Sequence, residues 1–173
     1  DYYARITLDI FTIIAAFFLS HKFREDVKLH LVFAGPPTPP RHLELKPATK
    51  GNTGEDKIYL SKSNVSRIIK KLLYKYREGE KREVFPGFWV EKKSFLDLAN
   101  EFYEQGRSLY TLDSHGEDIR ESKIEENPIF ILGDHHGLPS KELRKLKKIS
   151  KSISLGRKTY FASHVTAIIN NEL

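Results

Sequence analysis

PIFILGDHHG, residues 128–137, and ISKSISLGRKTY, residues 149–160, each run a short strand into a glycine-bearing turn. PIFIL is a continuous apolar run of strand length, the pattern of a strand buried on both faces. ISKSISL alternates, and a helical period follows over residues 159–173, with Phe161, Val165, Ile168 and Ile169 expected to face inward. Upstream, SLYTL (residues 108–112) predicts a strand, residues 113–116 a turn, and residues 140–147 a helix. Strand, helix, strand and helix joined by short connections predict an α/β fold, a mostly parallel sheet flanked by helices.

The first part of the chain has a different rhythm. Residues 6–19 (ITLDIFTIIAAFFL) have no clean polar face, which suits a helix buried in the fold or packed between subunits. Residues 27–33 and 42–46 alternate and are expected to pair as strands, joined across a stiff loop that carries Pro36, Pro37, Pro39 and Pro40. Residues 51–54 (GNTG) predict a turn. Residues 62–77 predict an amphipathic helix: Val65, Ile68, Ile69, Leu72, Leu73 and Tyr76 share one side, Arg67, Lys70, Lys71 and Lys75 the other. Residues 78–83 read as a charged loop, Pro86-Gly87 as a turn, residues 88–90 as a short strand, and residues 94–104 as a helix ended near Gly106.

The length of 173 residues fits a single domain over residues 1–173. Eleven Phe and eight Tyr demand burial and exclude a disordered chain. The absence of Cys excludes disulfides, cysteine-ligated zinc and a thiol nucleophile. The absence of Met points to a chain truncated at its N terminus or to methionines lost from the sequence, which would shift local spacings by one. The apolar run at residues 6–19 is short of the roughly 20 residues that cross a bilayer, so no membrane association is expected. Charge is unevenly spread. Residues 141–158 hold eight Lys and Arg against Glu142 alone, and residues 62–77 hold six with no acid, so the remainder is net acidic although the whole chain is +6. Two basic patches on an acidic body point to a polyanionic partner, whereas two solvated Lys-rich faces are the plainer alternative.

No G-x-G-x-x-G, P-loop, H-E-x-x-H or G-x-S-x-G is present. The chemistry is therefore sought at three strand exits: residues 112–116 (LDSHG), 133–137 (GDHHG) and 154–156 (SLG). Ligands of parallel sheets lie outside the carboxyl ends of strands, and glycine lets a ligand approach the backbone there. Three such turns meeting at one end of a sheet could cradle a flat heterocycle, while ordinary strand-exit turns are the alternative. His135 and His136 are adjacent, a poor geometry for one ion, and no third ligand is placed by spacing, so no metal is expected. His164 fits a packing histidine or a pocket residue equally well.

Read together, AAFFLSHKFREDV, LYTLDSHGEDI, PIFILGDHHG and SLGRKTYFASHVTAIINNEL resemble, in order and spacing, the TrmY family of tRNA pseudouridine N1-methyltransferases, of the SPOUT class. The resemblance covers almost the whole chain. It implies a SPOUT fold with a C-terminal trefoil knot over about residues 108–173, and a bent S-adenosylmethionine cofactor held in the knot. Cofactor contacts would come from Leu112, Gly133, the run Ser154, Leu155, Gly156, Arg157, Lys158, Thr159 and Tyr160, and Val165, largely through backbone groups. It also implies a homodimer, with the helices at residues 6–19 and 159–173 as interface candidates, and tRNA as a cytoplasmic substrate. The basic segments 62–77 and 141–158 would contact phosphate.

The implied reaction is in-line attack of the pseudouridine N1 on a sulfonium methyl. A guanidinium would stabilise the anionic ring and a carboxylate would take the proton. The family carries R-x-D near the start of its first long helix. Here Arg5 is in place but the residue two further on is Thr7, and the nearest acid is Asp9, so Arg5 and Asp9 are the catalytic candidates. A residue lost nearby, or a member without that base, would also explain Thr7. Two other functions stay open at this point: methylation of ribosomal pseudouridine, and RNA binding on a SPOUT fold without catalysis.

Overall fold

Apolar residues at helical spacing close one face of a sheet in the first part of the chain, and helices cover both faces of another sheet in the second. The computed structural model describes residues 2–19, 24–35, 38–46, 62–133 and 137–173, the side chains of residues 2–9, 62 and 63 excepted. Two compact units divide the chain, Asp1–Ser94 and Phe95–Leu173. The turn expected at residues 51–54 and the side chains of His135 and His136 lie outside the described residues.

In the first unit, helix α1 (Tyr2–Phe17) precedes strands β1 (Leu29–Phe33) and β2 (Arg41–Leu45). Helix α2 (Lys62–Tyr74) and strands β3 (Arg82–Phe85) and β4 (Phe88–Glu91) complete it. The sheet is antiparallel in the order β1-β2-β4-β3, so the expected pairing of the first two strands is observed. Ile13, Ala16 and Phe17 of α1 and Val65, Ile69 and Leu72 of α2 are buried with Leu43, Leu45 and Val90 of the sheet. The side of α2 read as apolar is thus the side it buries. Strand β3 replaces part of the expected charged loop. Pro86-Gly87 reverses the chain between β3 and β4, with Gly87 at φ +82° in the position where a type II turn needs a left-handed residue.

One face of this sheet holds a buried polar chain. His42, 1% exposed, lies with Nδ1 2.9 Å from Glu91 Oε1 and Nε2 2.8 Å from His30 Nδ1. If His42 donates to Glu91, its other nitrogen is bare and accepts from His30. Burial, with the neighbouring His42 adding to it, pushes His30 down to about 3. Burial also lowers His42, against the raising effect of Glu91. Glu44 loses solvation, which alone would raise it, but the ammonium groups of Lys28 and Lys81 outweigh that and bring it down to about 2. The sign is the same for all three. The unfolded chain binds protons that the folded chain refuses, so stability rises with pH across these windows. The His30 contribution is complete above about pH 6.5 and is lost towards pH 3, and His42 acts in the same direction. The Glu44 contribution is complete above about 4.5 and is lost towards 2. Urea titrations at pH 7.5 and pH 4.5 are expected to show a lower midpoint at the acid pH. His30→Phe should shrink that difference, and an unchanged difference in the variant would contradict the assignment.

In the second unit, α3 (Phe95–Glu104) leads to β5 (Leu109–Asp118), β6 (Ile129–Ile131), α4 (Ser140–Leu146), β7 (Ser150–Ser154) and α5 (Ala162–Glu172). Helix α3 stops where expected. Gly106, at φ +75°, donates to Tyr103 O while Arg107 donates to Phe102 O, the paired bonds of a Schellman end. The three strands are parallel in the order β6-β5-β7. Leu109 and Ile131 face Ala99 of α3 and Leu146 of α4. Tyr110 and Ile153 face Ile169 of α5. A parallel sheet covered on both faces is the α/β arrangement expected from the strand–helix alternation.

Near the start of α5 one expectation fails and one open alternative closes. Phe161 is 66% exposed, because α5 starts at Ala162 and Phe161 is its N-cap residue rather than part of the inward stripe. His164 is exposed and stacks edge-on against Phe161, so it is not a core packing residue.

Candidate functional site

Parallel strands put their carboxyl ends on one side of a sheet, and β5 lies between β6 and β7. Thr111 pairs with Ile131 and Leu112 pairs with Ile153. Leu112, Gly133 and Ser154–Gly156 therefore lie at one edge, on strands spaced about 5 Å apart. The three strand exits picked out in the sequence do meet.

Each exit is held in a specific way. At the β6 exit, a Cβ on Gly133 would stand 2.8 Å from Cα and C of Gly137 and 2.9 Å from Leu138 N. The backbone of Gly137 and Leu138 thus lies directly against Gly133 and leaves no room for a side chain. At the β7 exit, Ser154 is 6% exposed, and its Oγ accepts the Gly156 N–H at 3.0 Å. This bond bends the chain just where Gly156 takes φ +109°, a conformation that disfavours side chains. Ser154 thus shapes the turn with its side chain.

The β5 exit departs from the expected turn. The strand runs on to Asp118, and its register breaks between Leu112 and Glu117, both of which pair with Ile153. Residues 113–116 bulge out of the ladder before the chain rejoins β7. Gly116 makes this possible, since a Cβ there would lie 2.6 Å from Ile153 N and C. Ile119 then donates to Ser154 O at 2.9 Å. The bulge is fixed by Asp113, whose Oδ1 accepts the His115 N–H at 3.0 Å and whose Oδ2 accepts from Lys147 Nζ at 3.1 Å. These bonds, the one from His115 first, hold the Asp113 carboxyl below its usual range. The tie between Asp113 and Lys147 had no signal in the sequence, because the two residues come from different elements.

The remaining cofactor candidates divide. Val165 is half-buried in the same apolar cluster as Leu112. Leu155 is buried, whereas Arg157, Lys158, Thr159 and Tyr160 are exposed along the loop into α5. Arg5 and Asp9 lie in α1 of the first unit, with side chains outside the described residues. Among the described residues, no cluster of three or more His, Cys, Asp and Glu could hold a metal ion, and no helix is long and apolar enough to cross a membrane.

The edge offers apolar side chains and bare backbone to a flat ligand. Leu112, Val165 and Leu155 offer apolar contact, Gly133 and Gly156 bring backbone close without side chains, and backbone N–H and C=O groups of the exits can read a heterocycle's edge.

Comparison with known proteins gives the family of the chain. Residues 5–173 match a family model described as "Putative SAM-dependent RNA methyltransferase". The chain belongs to this family. Its cofactor is S-adenosylmethionine and its reaction is methyl transfer to RNA. Three archaeal relatives carry the name tRNA (pseudouridine(54)-N(1))-methyltransferase. The Thermococcus kodakarensis protein is 36% identical over 90% of this chain and 78% of its own. The Pyrococcus abyssi protein is 35% identical over 96% and 82%, and the Methanocaldococcus jannaschii protein 36% over 91% and 78%. Among solved structures, Archaeoglobus fulgidus Nep1 bound to S-adenosylhomocysteine aligns with a TM-score of 0.57 at 14% identity, covering 97% of this chain and 68% of that one. At that identity the likeness concerns the fold alone. The SPOUT α/β fold expected of the methyltransferase is the fold observed.

Proposed function

We propose that this methyltransferase transfers a methyl group from S-adenosylmethionine to N1 of the pseudouridine at position 54, in the T-arm of tRNA. One observation carries the proposal: relatives matching about nine-tenths of the chain at about 36% identity bear the name of that reaction. The meeting of Leu112, Gly133 and Ser154–Gly156 at one sheet edge supports it.

When bound, the cofactor supplies a methyl carbon made electrophilic by its sulfonium. The protein must place N1 in line with the bond to sulfur, so that the N–C bond forms as the S–C bond breaks and the N1 proton leaves. Leu112, Gly133 and residues 154–160, with Val165, hold the adenosyl end. Arg5 places its guanidinium at a ring carbonyl and stabilises the anionic base, and Asp9 takes the proton. The spacing supports that pair. Arg5 and Asp9 are four residues apart in α1 and share one helix face, whereas Thr7 does not share it.

The single 173-residue domain is knotted through its C-terminal part and works in the cytoplasm as a homodimer through α1 and α5. Large apolar residues exposed on or beside both helices support this, Phe11 and Leu19 on the first and Phe161 and Leu173 on the second.

The test is methyl incorporation from labelled S-adenosylmethionine into tRNA transcripts that carry uridine or pseudouridine at position 54. Label is expected only in the pseudouridine transcript. Equal labelling of both, or labelling of ribosomal RNA instead, contradicts the proposed substrate.

A further inference from the structure

Helix α2 buries Val65, Ile69 and Leu72 and turns the opposite stripe to solvent. Arg67, Lys70, Lys71 and Tyr74 follow one another at positions i, i+3, i+4 and i+7, the spacing of a single helix face, and all four are exposed. Lys75 and Arg77, also exposed, extend the stripe past the end of the helix. Tyr74 is 84% exposed, the most exposed of the chain's large apolar side chains among the described residues. Two aromatic rings near this end of α2 are engaged, in contrast. Tyr76 lies under the Arg41 guanidinium at 5.0 Å, and Phe85 under Lys71 Nζ at 4.8 Å. Tyr74 buries almost nothing, so the fold gives no reason for an aromatic ring in the middle of a cationic stripe.

A ring standing free among cations is what single-stranded RNA needs. Ammonium and guanidinium groups neutralise successive phosphates, and the ring offers a face on which an unpaired base stacks, with little dependence on its sequence. We propose that the exposed face of α2 docks an unpaired stretch of the RNA substrate, with a base stacked on Tyr74 and phosphates held by Arg67, Lys70, Lys71 and Lys75. The assignment rests on the proposed tRNA substrate and adds a positioning residue to it. An unpaired RNA uses both parts of this face at once, the cations for successive phosphates and the ring for a base, and a protein partner is the alternative that the test separates.

The test compares Tyr74→Ala with Tyr74→Phe in the full chain, with fluorescence-anisotropy titrations of a labelled single-stranded oligoribonucleotide and of pseudouridine-containing tRNA over a range of salt. Tyr74 is so exposed that neither change should alter melting, and melting is measured as a control. Tyr74→Ala is expected to weaken binding by about fivefold or more, the loss of one base–aromatic stack. The slope of affinity against salt should be unchanged, since no phosphate contact is removed. Tyr74→Phe should bind as the wild type. Lys70→Ala or Lys71→Ala should instead lower the salt slope by about one. In turnover, Tyr74→Ala should raise KM for tRNA and leave kcat at saturation within about twofold. Wild-type binding by Tyr74→Ala, or equal loss in both Tyr74 variants, overturns the stacking assignment and leaves the face to a protein partner. Weaker oligoribonucleotide binding by Tyr74→Ala alone, beside a wild type that labels no pseudouridine, would instead overturn the substrate while the docking face stands.

Discussion

Gly133→Ala is expected to reduce affinity for S-adenosylhomocysteine by at least about tenfold. The cause is backbone against backbone. The added methyl would meet Cα and C of Gly137 at 2.8 Å and Leu138 N at 2.9 Å. A flexible side chain could swing away from such a contact, but main chain cannot. Gly137 and Leu138 have to move away from Gly133, and the carboxyl edge shared with Leu112 and Ser154–Gly156 loses its shape. Forcing a methyl into a closed space also costs stability, about 1–3 kcal/mol. The two effects are separated by measuring both, melting by circular dichroism and affinity by titration calorimetry. Retained affinity in a destabilised variant would mean that the turn supports the fold and takes no part in holding the cofactor. Gly156→Ala is a graded comparison. Among the described residues, no heavy atom beyond its chain neighbours lies within 4 Å of its Cβ position, so the φ of +109° is what opposes the change, and the effect should be smaller.

The second large effect is catalytic. Asp9→Asn is expected to lower kcat by about 10²- to 10⁴-fold while leaving the affinity for S-adenosylhomocysteine unchanged, as removal of a general base requires. The pH profile carries the decisive part. Pseudouridine N1 ionises more readily as pH rises, so the defect should narrow in alkaline solution, where the substrate sheds its proton without help. Arg5→Ala should show no such rescue, because a stabilising cation is needed however the proton leaves. A uniform loss at every pH in both variants would contradict the roles assigned to them. Full activity of Asp9→Asn would remove Asp9 from the reaction altogether.

How far the sequence reveals the molecule depends on whether the deciding contact is local. Helix α2 was legible because Val65, Ile68, Ile69, Leu72 and Leu73 repeat at the helical period, and these are the residues it buries. The end of α3 was legible because Gly106 alone supplies the left-handed residue that the motif needs. The meeting of the three exits was legible because a parallel sheet places all its strand ends on one side. Strand β3 was not legible, since Arg82 and Glu83 read as loop until β4 is present to pair with them. The bulge after Leu112 was equally hidden. It depends on Gly116 lying against Ile153, 37 residues away in the chain, and no local pattern encodes that approach. Phe161 misled for a simpler reason: it has the right spacing for the inward face of α5 but sits one residue before the helix begins.

In the proposed function, the adenosyl group sits at the carboxyl edge of the β6-β5-β7 sheet. The most direct measurement is a crystal structure of the protein grown with S-adenosylhomocysteine. The adenine and ribose are expected within hydrogen-bonding distance of main-chain groups at residues 112–113, 133 and 154–157. A ligand bound away from those three exits, or crystals that exclude it at saturating concentration, would contradict the account.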